Sequence, residues 1–211
     1  ALVDKGDWAS GTSSKSSKLV HGGLRYLENF QFGLVMEGTR ERYRQQKLNP
    51  HLVTPLPFLM PVYKTGRHSL FKINVGLWLY DLLSMFRTPR VHKKLNARRT
   101  LERMPPLRGD ALSGSVLYYD CATDDARLTL AKVLDARRRG GLCFARATYL
   151  GPVIDDGRVT AARVRDGLTG REVTIPCRHV VHATGPWTDV PGFDAGGQLL
   201  KVQGRAFSDG G

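Results

Sequence analysis

Sixteen residues, Thr12 to Leu27 (TSSKSSKLVHGGLRYL), concentrate the side chains that could do chemistry. The hydroxyls of Thr12, Ser13, Ser14, Ser16 and Ser17, together with Lys18, suit phosphate oxygens. The Gly22-Gly23 pair lets backbone N–H groups lie against a phosphate or a flat ring. His21 is the candidate proton acceptor, because imidazole is the side chain that changes charge near neutral pH. Arg25 follows within a helical turn, and a guanidinium presents paired donors to a phosphate or oxyanion. Tyr26 stands beside it and could orient it. A solvated Ser/Lys linker is the competing reading of the same composition. On that reading His21 is structural and Arg25 lies on a helix surface.

The flanking elements must position this stretch. Helical patterning is predicted from Ser17 to about Leu48, with Leu24, Leu27, Leu34 and Val35 on an apolar side. The run ERYRQQK (41–47) is expected to be a solvated, charged face, and Asn49-Pro50 stops the helix. LVTPLPFLMPVY (52–63) sets prolines among apolar residues, which predicts an edge strand or extended connector. Residues 71–87 (FKINVGLWLYDLLSMFR) are the most apolar. Ile73, Leu77, Tyr80, Leu83 and Phe86 fit helical spacing, and Val75, Trp78, Leu79, Leu82 and Met85 widen the stripe. A core helix is expected there. The alternative is a helix lying in a membrane face, flanked by Lys72, Arg87 and Arg90. His92 to Asp110 is basic and polar and predicts a solvated helix and turn. It has no interleaved aromatic to stack on bases, so no nucleic-acid partner is expected.

Ser115 to Tyr119 is strand-like, and the segment DCATDDARL runs into a helix to about Arg139. Asp124 and Asp125 stand at its first turn, where negative charge suits the helix dipole. Gly140-Gly141 ends it. Asp156-Gly157 and Asp166-Gly167 are hairpin signals. VTAARVRD and REVTIPC predict a small antiparallel sheet, and HVVHATG predicts a buried strand. At the start, Leu2-Val3-Asp4 reads as a parallel strand closing on an acid. Such an acid receives ribose hydroxyls in dinucleotide-binding units, about 20 residues after a G-x-G-x-x-G loop. No such loop occurs in this sequence.

Composition bounds the answer. The 211 residues allow one or two domains, and 41% hydrophobic with 24% charged residues fits a globular chain. Thirty-two Lys and Arg against 19 Asp and Glu give a net charge of +13. That balance favours phosphorylated metabolites, nucleic acid or an acidic membrane surface as partners. Three cysteines with no C-x-x-C spacing argue against a zinc site or a disulfide framework. No signal peptide is visible, and no apolar run of about 18 residues could span a bilayer.

DWASGTSSKSSKLVHGGLRYLENFQF (7–32), YYDCATDDARL (118–128) and VVHATGPWTD (180–189), in that order, resemble FAD-dependent glycerol-3-phosphate dehydrogenases. These belong to the amino-acid-oxidase-like flavoproteins. The resemblance implies a mixed α/β (α+β) fold containing an incomplete glutathione-reductase-type FAD-binding domain with an inserted substrate-domain segment. Residues 1–50 would be the first part of the FAD domain, 51–115 the substrate or cap segment, 116–190 the second part of the FAD domain, and 191–211 the start of a truncated C-terminal region. The chain is accordingly expected to lack the Gly-rich unit and the C-terminal half.

With FAD as cofactor, the resemblance assigns Asp4 to the ribose, a position usually occupied by Glu. It assigns Thr12, Ser13, Ser14, Ser17, Lys18 and Leu19 to the pyrophosphate and ribityl side. His21, Gly22 and Gly23 fall beside the flavin, Tyr149 near adenine, and Ala183, Thr184, Gly185 and Pro186 at a turn close to the flavin. His21 and Arg25 are the catalytic candidates. Arg25, Tyr26, Asp125 and Arg127 fall on the substrate side, although a helix-start ion pair explains Asp125 and Arg127 equally well. The implied reaction oxidises glycerol 3-phosphate to dihydroxyacetone phosphate and passes electrons to quinone. The enzyme would be cytoplasmic, with peripheral attachment to the inner membrane. Two other readings stand beside it: a related flavin oxidase using oxygen, and a flavin-free basic fragment that holds anionic partners.

Overall fold

The structure is a computed structural model in which residues 1–85, 87–187, 192–193 and 199–200 are described. Helices and strands alternate in a mixed α/β chain. It divides into two compact units, Lys15–Leu128 and Ala1–Ser14 with Thr129–Gly211. The discontinuous unit opens with β1 (Leu2–Val3), which ends at Asp4, and continues into a single 3-10 turn at Thr12–Ser14.

The unit Lys15–Leu128 is built around one long strand. Its elements are β2 (Leu19–Val20), α1 (Leu24–Glu28), α2 (Phe32–Leu48), β3 (Val53–Tyr63), α3 (Leu70–Leu83), β4 (Lys93–Asn96), α4 (Ala97–Arg103) and β5 (Leu112–Thr123). Antiparallel pairing joins β5 to β3 along its whole length. On its other edge β5 pairs with β4 at Gly114–Leu117 and with β2 at Cys121–Ala122. Val116, Leu117 and Cys121 of β5 are buried and form the centre of the core with Val35, Val53 and Leu77. Pro55, Pro57 and Pro61 of β3 sit opposite Cys121, Tyr119 and Ser115. They share one parity, so their missing N–H groups all fall on the edge facing away from β5. The expected edge strand is thereby explained.

Several expectations need correction. Helical structure begins at Leu24 rather than Ser17: Leu19–Val20 forms a strand, because the β5 ladder satisfies its backbone, and Gly22-Gly23 interrupts any helix. The helix is also broken at residues 29–31, where Phe30 has φ +55°. The charged run 41–47 is not wholly solvated. Val35, Thr39 and Arg42 recur at i, i+4 and i+7, so Arg42 falls on the buried stripe of α2, while Leu34 faces outward.

Residues 71–85 do not pack mainly inside. Their buried stripe is Leu77, Tyr80, Asp81 and Ser84, again i, i+3, i+4 and i+7, which leaves Phe71, Val75, Trp78, Leu79, Leu82 and Met85 exposed. One helix face is all that β5 and its neighbours can cover. Phe86 lies outside the described residues. The basic segment 92–110 is likewise more than a solvated helix and turn, since it contains β4 and buries His92 and Thr100. His92 Nδ1 lies 2.7 Å from Asp81 Oδ2, and the Thr100 and Ser115 hydroxyls lie 2.8 Å apart.

Helix α5 (Asp125–Arg138) follows β5, capped by Asp124, whose carboxylate accepts the Arg127 N–H at 3.0 Å. It ends at the Gly pair: Gly140 has φ +86°, and Gly141 N–H donates to Ala136 O at 2.8 Å. β6 (Cys143–Phe144) then pairs with β1 in parallel, as the strand-then-acid pattern requires. β7 (Ala147–Asp155), β8 (Arg158–Asp166) and β9 (Glu172–Pro176) form an antiparallel meander, so the small sheet has three strands. Asp156 and Gly157 both adopt positive φ in the first hairpin.

The expected buried strand HVVHATG is not a strand, and Val181 is 86% exposed. A strand needs a neighbour to satisfy its backbone, and no strand lies alongside it among the described residues. The pair β10 (Gly192–Phe193) and β11 (Leu199–Leu200) is antiparallel. The rest of 188–211, including Thr188 and Asp189, lies outside the described residues. No helix among the described residues is long and apolar enough to cross a membrane.

Candidate functional site

Within Lys15–Leu128, two carboxylates hold the polar stretch. Asp125 Oδ2 accepts from the Ser16 hydroxyl at 2.7 Å and from the Ser16 N–H at 3.2 Å, and Lys18 Nζ lies 3.7 Å from Asp125 Oδ1. The Ser16 hydroxyl hydrogen bond leads in holding the Asp125 carboxyl below the ordinary carboxylate range. Partial burial opposes it, while the N–H groups of Ser16 and Ala126 and the Lys18 charge assist. Lys18 itself has φ +58°, and its carbonyl accepts the Thr123 N–H at 2.9 Å. Asp125 therefore serves the Ser/Lys loop, and its ion partner is Lys18 rather than Arg127.

Beyond Leu19–Val20 comes His21, which is exposed, and then the buried pair Gly22-Gly23. Asp120 Oδ1 accepts the Gly22 N–H at 3.0 Å and is ion-paired with Arg42 Nη1, which also donates to the Tyr80 hydroxyl at 2.9 Å. Arg42 is 1% exposed. A Cβ on Gly22 would strike the Tyr80 hydroxyl and come within 2.6 Å of Thr39 Cγ2. Only glycine fits. Gly23 is required for a different reason: it caps α1 with φ +73°. Arg25 and Tyr26 follow on α1, both exposed.

Burial drives the Tyr80 phenol strongly upward, so it stays protonated at neutral pH. Desolvation would lower the Arg42 value, but Tyr80 and Asp120 outweigh it and leave it raised. Burial and the Asp120 charge likewise raise the Cys121 thiol against the pull of Arg42, which removes it as a thiolate nucleophile. Arg42, Asp120 and Tyr80 went unrecognised in the sequence. The signals were present: an Arg in register with Val35 and Thr39, and an Asp inside the apolar run SVLYYDCA.

The remaining candidates lie in the discontinuous unit. Asp4 is exposed at the end of β1, with Oδ1 accepting the Gly6 N–H at 2.8 Å. Thr12 and Ser13 are exposed on their 3-10 turn, and Ser14 donates to Gly11 O at 3.3 Å. A Cβ on Gly11 would lie 3.0 Å from the Trp187 ring, so the ATGPW turn packs against the residue that precedes Thr12. Ala183, Thr184 and Gly185 are exposed, and Gly185 has φ +58° in the turn Gly185–Trp187. Half-buried Tyr149 places its ring 5.2 Å from that of His182, and burial raises its phenol.

The hydroxyls of Thr12, Ser13 and Ser17 are exposed and have no hydrogen-bond partner among the described residues. The free Thr12 and Ser13 hydroxyls of one unit, and the free Ser17 hydroxyl of the other, each fit the oxygens of a phosphate-bearing cofactor. No group of three or more His, Cys, Asp or Glu that could hold a metal ion occurs among the described residues.

Comparison with known proteins gives the same direction. The profile of the family described as FAD dependent oxidoreductase matches residues 1–208. The chain is 38% identical over 192 residues to the alpha-glycerophosphate oxidase of Streptococcus pyogenes, covering 89% of this chain and 31% of that protein. It is 38% identical over 191 residues to the aerobic glycerol-3-phosphate dehydrogenase of Staphylococcus aureus, covering 90% and 34%. The glycerol-3-phosphate dehydrogenase of Bacillus halodurans, solved in complex with FAD, superimposes with a TM-score of 0.61 at 32% identity, over 88% of this chain and 29% of that one. The chain thus spans about a third of the length of the curated relatives it matches. By the extent of the family match and the fold, the chain belongs to the FAD dependent oxidoreductase family.

Proposed function

We propose that this chain carries the His-Gly-Gly part of an enzyme that oxidises sn-glycerol 3-phosphate to dihydroxyacetone phosphate on FAD and passes the electrons to quinone. The observation that carries the reading is local. A buried glycine peptide, tied to Asp120, is flanked by an exposed His21 and, within one helical turn, an exposed Arg25. FAD, when bound, would supply the acceptor for the hydride of the substrate's carbinol carbon. His21 accepts the hydroxyl proton on an imidazole nitrogen. Arg25 holds the phosphate through paired N–H donors, and Tyr26 orients it. Leu19, Gly22, Gly23, Ala183, Thr184 and Gly185 supply close backbone approach to the cofactor. Ser13, Ser14, Ser17 and Lys18, with Thr12, supply polar contacts to its phosphates, Asp4 to its ribose, and Tyr149 lies toward adenine. Asp125 contributes by holding Ser16 and Lys18, and exposed Arg127 lies on the substrate side.

In the whole enzyme, Arg25→Ala should raise KM for glycerol 3-phosphate by roughly ten- to a hundredfold, the equivalent of about 1.5–3 kcal/mol for a charge-assisted bond. Arg25→Lys should recover part of that. His21→Asn should remove the acid limb of the kcat/KM profile. A profile that keeps the limb assigns the base elsewhere, and unchanged kinetics in Arg25→Ala removes Arg25 from the site. The match to a glycerophosphate oxidase supports a second acceptor, oxygen, and peroxide yield in air against quinone reduction under nitrogen distinguishes the two. A cytoplasmic enzyme lying on the membrane face belongs to the quinone reading.

A further inference from the structure

Three buried polar side chains, drawn from α2, α3 and β5, converge on a single loop peptide. Asp120 Oδ1 takes both the Gly22 N–H and Arg42 Nη1, and the Tyr80 hydroxyl occupies the space a Cβ at position 22 would need. The same hypothetical atom on Gly38 of α2 would lie 3.3 Å from the Gly22 carbonyl oxygen. Gly22 is therefore held by charge at its N–H and by packing against its Cα and its carbonyl.

Stability alone is a poor account of this arrangement. Arg42 Nε and Nη2 are buried with no partner among the described residues. A desolvated guanidinium with two unmet nitrogens stabilises a core less than apolar side chains of similar volume. What the ion pair achieves that apolar packing would not is a fixed direction for one N–H group, next to His21.

We propose that Arg42, Asp120 and Tyr80 are positioning residues for His21: they fix the Gly22 amide, and through it the direction of the imidazole toward the substrate hydroxyl. The proposal rests on the reading of His21 as proton acceptor. None of the three touches the reacting atoms.

Two double variants of the whole enzyme test it. Arg42→Met/Asp120→Asn removes both charges but keeps an oxygen acceptor for the Gly22 N–H. Arg42→Met/Asp120→Leu removes the acceptor as well. Neither leaves a lone buried charge, so both should melt cooperatively. Hydrogen exchange of the peptide spanning Gly22, measured without FAD or substrate, should be about tenfold faster in the Leu variant than in the Asn variant. Turnover should follow: the Leu variant loses about tenfold or more in kcat, with KM for glycerol 3-phosphate within about twofold. A purely structural role would lower the melting midpoint and leave kcat alone. Equal Gly22 exchange in the two variants, or an intact kcat in the Leu variant, overturns the proposal.

If the Leu variant does not fold, Tyr80→Phe serves, because it keeps the ion pair. Faster Gly22 exchange and lower kcat are then expected, and no change in either overturns the proposal. Should the wild-type enzyme fail to oxidise glycerol 3-phosphate, the functional reading falls, while the exchange comparison still decides whether the peptide is held.

Discussion

Asp120 and Asp125 stand five residues apart and do the same chemistry in different surroundings. Each carboxylate catches a backbone N–H of the polar stretch and a cation: Gly22 and Arg42 in one case, Ser16 and Lys18 in the other. The Arg42 side chain is fully buried, whereas the Lys18 side chain is 60% exposed. Water can replace Lys18, but nothing can replace Arg42 without leaving a desolvated carboxylate. The difference teaches that burial, rather than the list of contacts, decides which anchor the loop depends on. The two ends of the stretch accordingly differ in character. The Ser/Lys end is pinned at Ser16 and Lys18 and leaves the Ser17 hydroxyl free, while Gly22 is tied at its N–H to Asp120 and packed against Tyr80 and Thr39.

The largest effect should come from breaking the buried anchor. Asp120→Ala strands Arg42 and should cost about 3–5 kcal/mol, read by urea unfolding. A loss no greater than that of an ordinary surface substitution would dissolve the contrast between the two anchors.

Gly22→Ala comes next. Its new Cβ meets the Tyr80 hydroxyl and Thr39 Cγ2, and overpacking of this kind costs roughly 1–3 kcal/mol. The same measurement on Gly22→Ala/Tyr80→Phe sharpens the point, since removing the hydroxyl should return part of the loss. No recovery would place the clash elsewhere.

Asp125→Asn should be smallest and pH-dependent. The folded Asp125 carboxyl ionises below the unfolded value of about 3.9, so the lock contributes above that pH and is lost as pH falls through the lowered value. The wild-type melting midpoint should therefore drop more steeply below about pH 4 than that of Asp125→Asn. Parallel curves would mean that Ser16 and Lys18 are held by something else.

Much of this fold was legible in the sequence. The edge character of β3 followed from three prolines at one parity, and the end of α5 from a Gly pair. The first hairpin of the meander followed from Asp156-Gly157. These are local rules, in which the residue that needs the conformation is the residue that specifies it. The stretch proposed as the site was picked out by the same kind of rule, because hydroxyls, a Gly pair, a His and an Arg in sixteen residues stand out by type.

Other features were not local. Leu19–Val20 reads as helix until β5 offers it a ladder, and residues 179–185 read as a strand although no partner lies alongside among the described residues. The apolar run of α3 reads as core, yet a helix can bury only the stripe its neighbours reach. Arg42 reads as one more surface charge in ERYRQQK. The amino-acid types determined where polar, glycine-rich chemistry concentrates and where the chain turns, because those properties belong to single residues and their immediate spacing. Only the tertiary structure decided that Arg42 and Asp120, 78 positions apart, would share one buried contact under Gly22, because desolvation and partnership arise only when distant segments close around the same point.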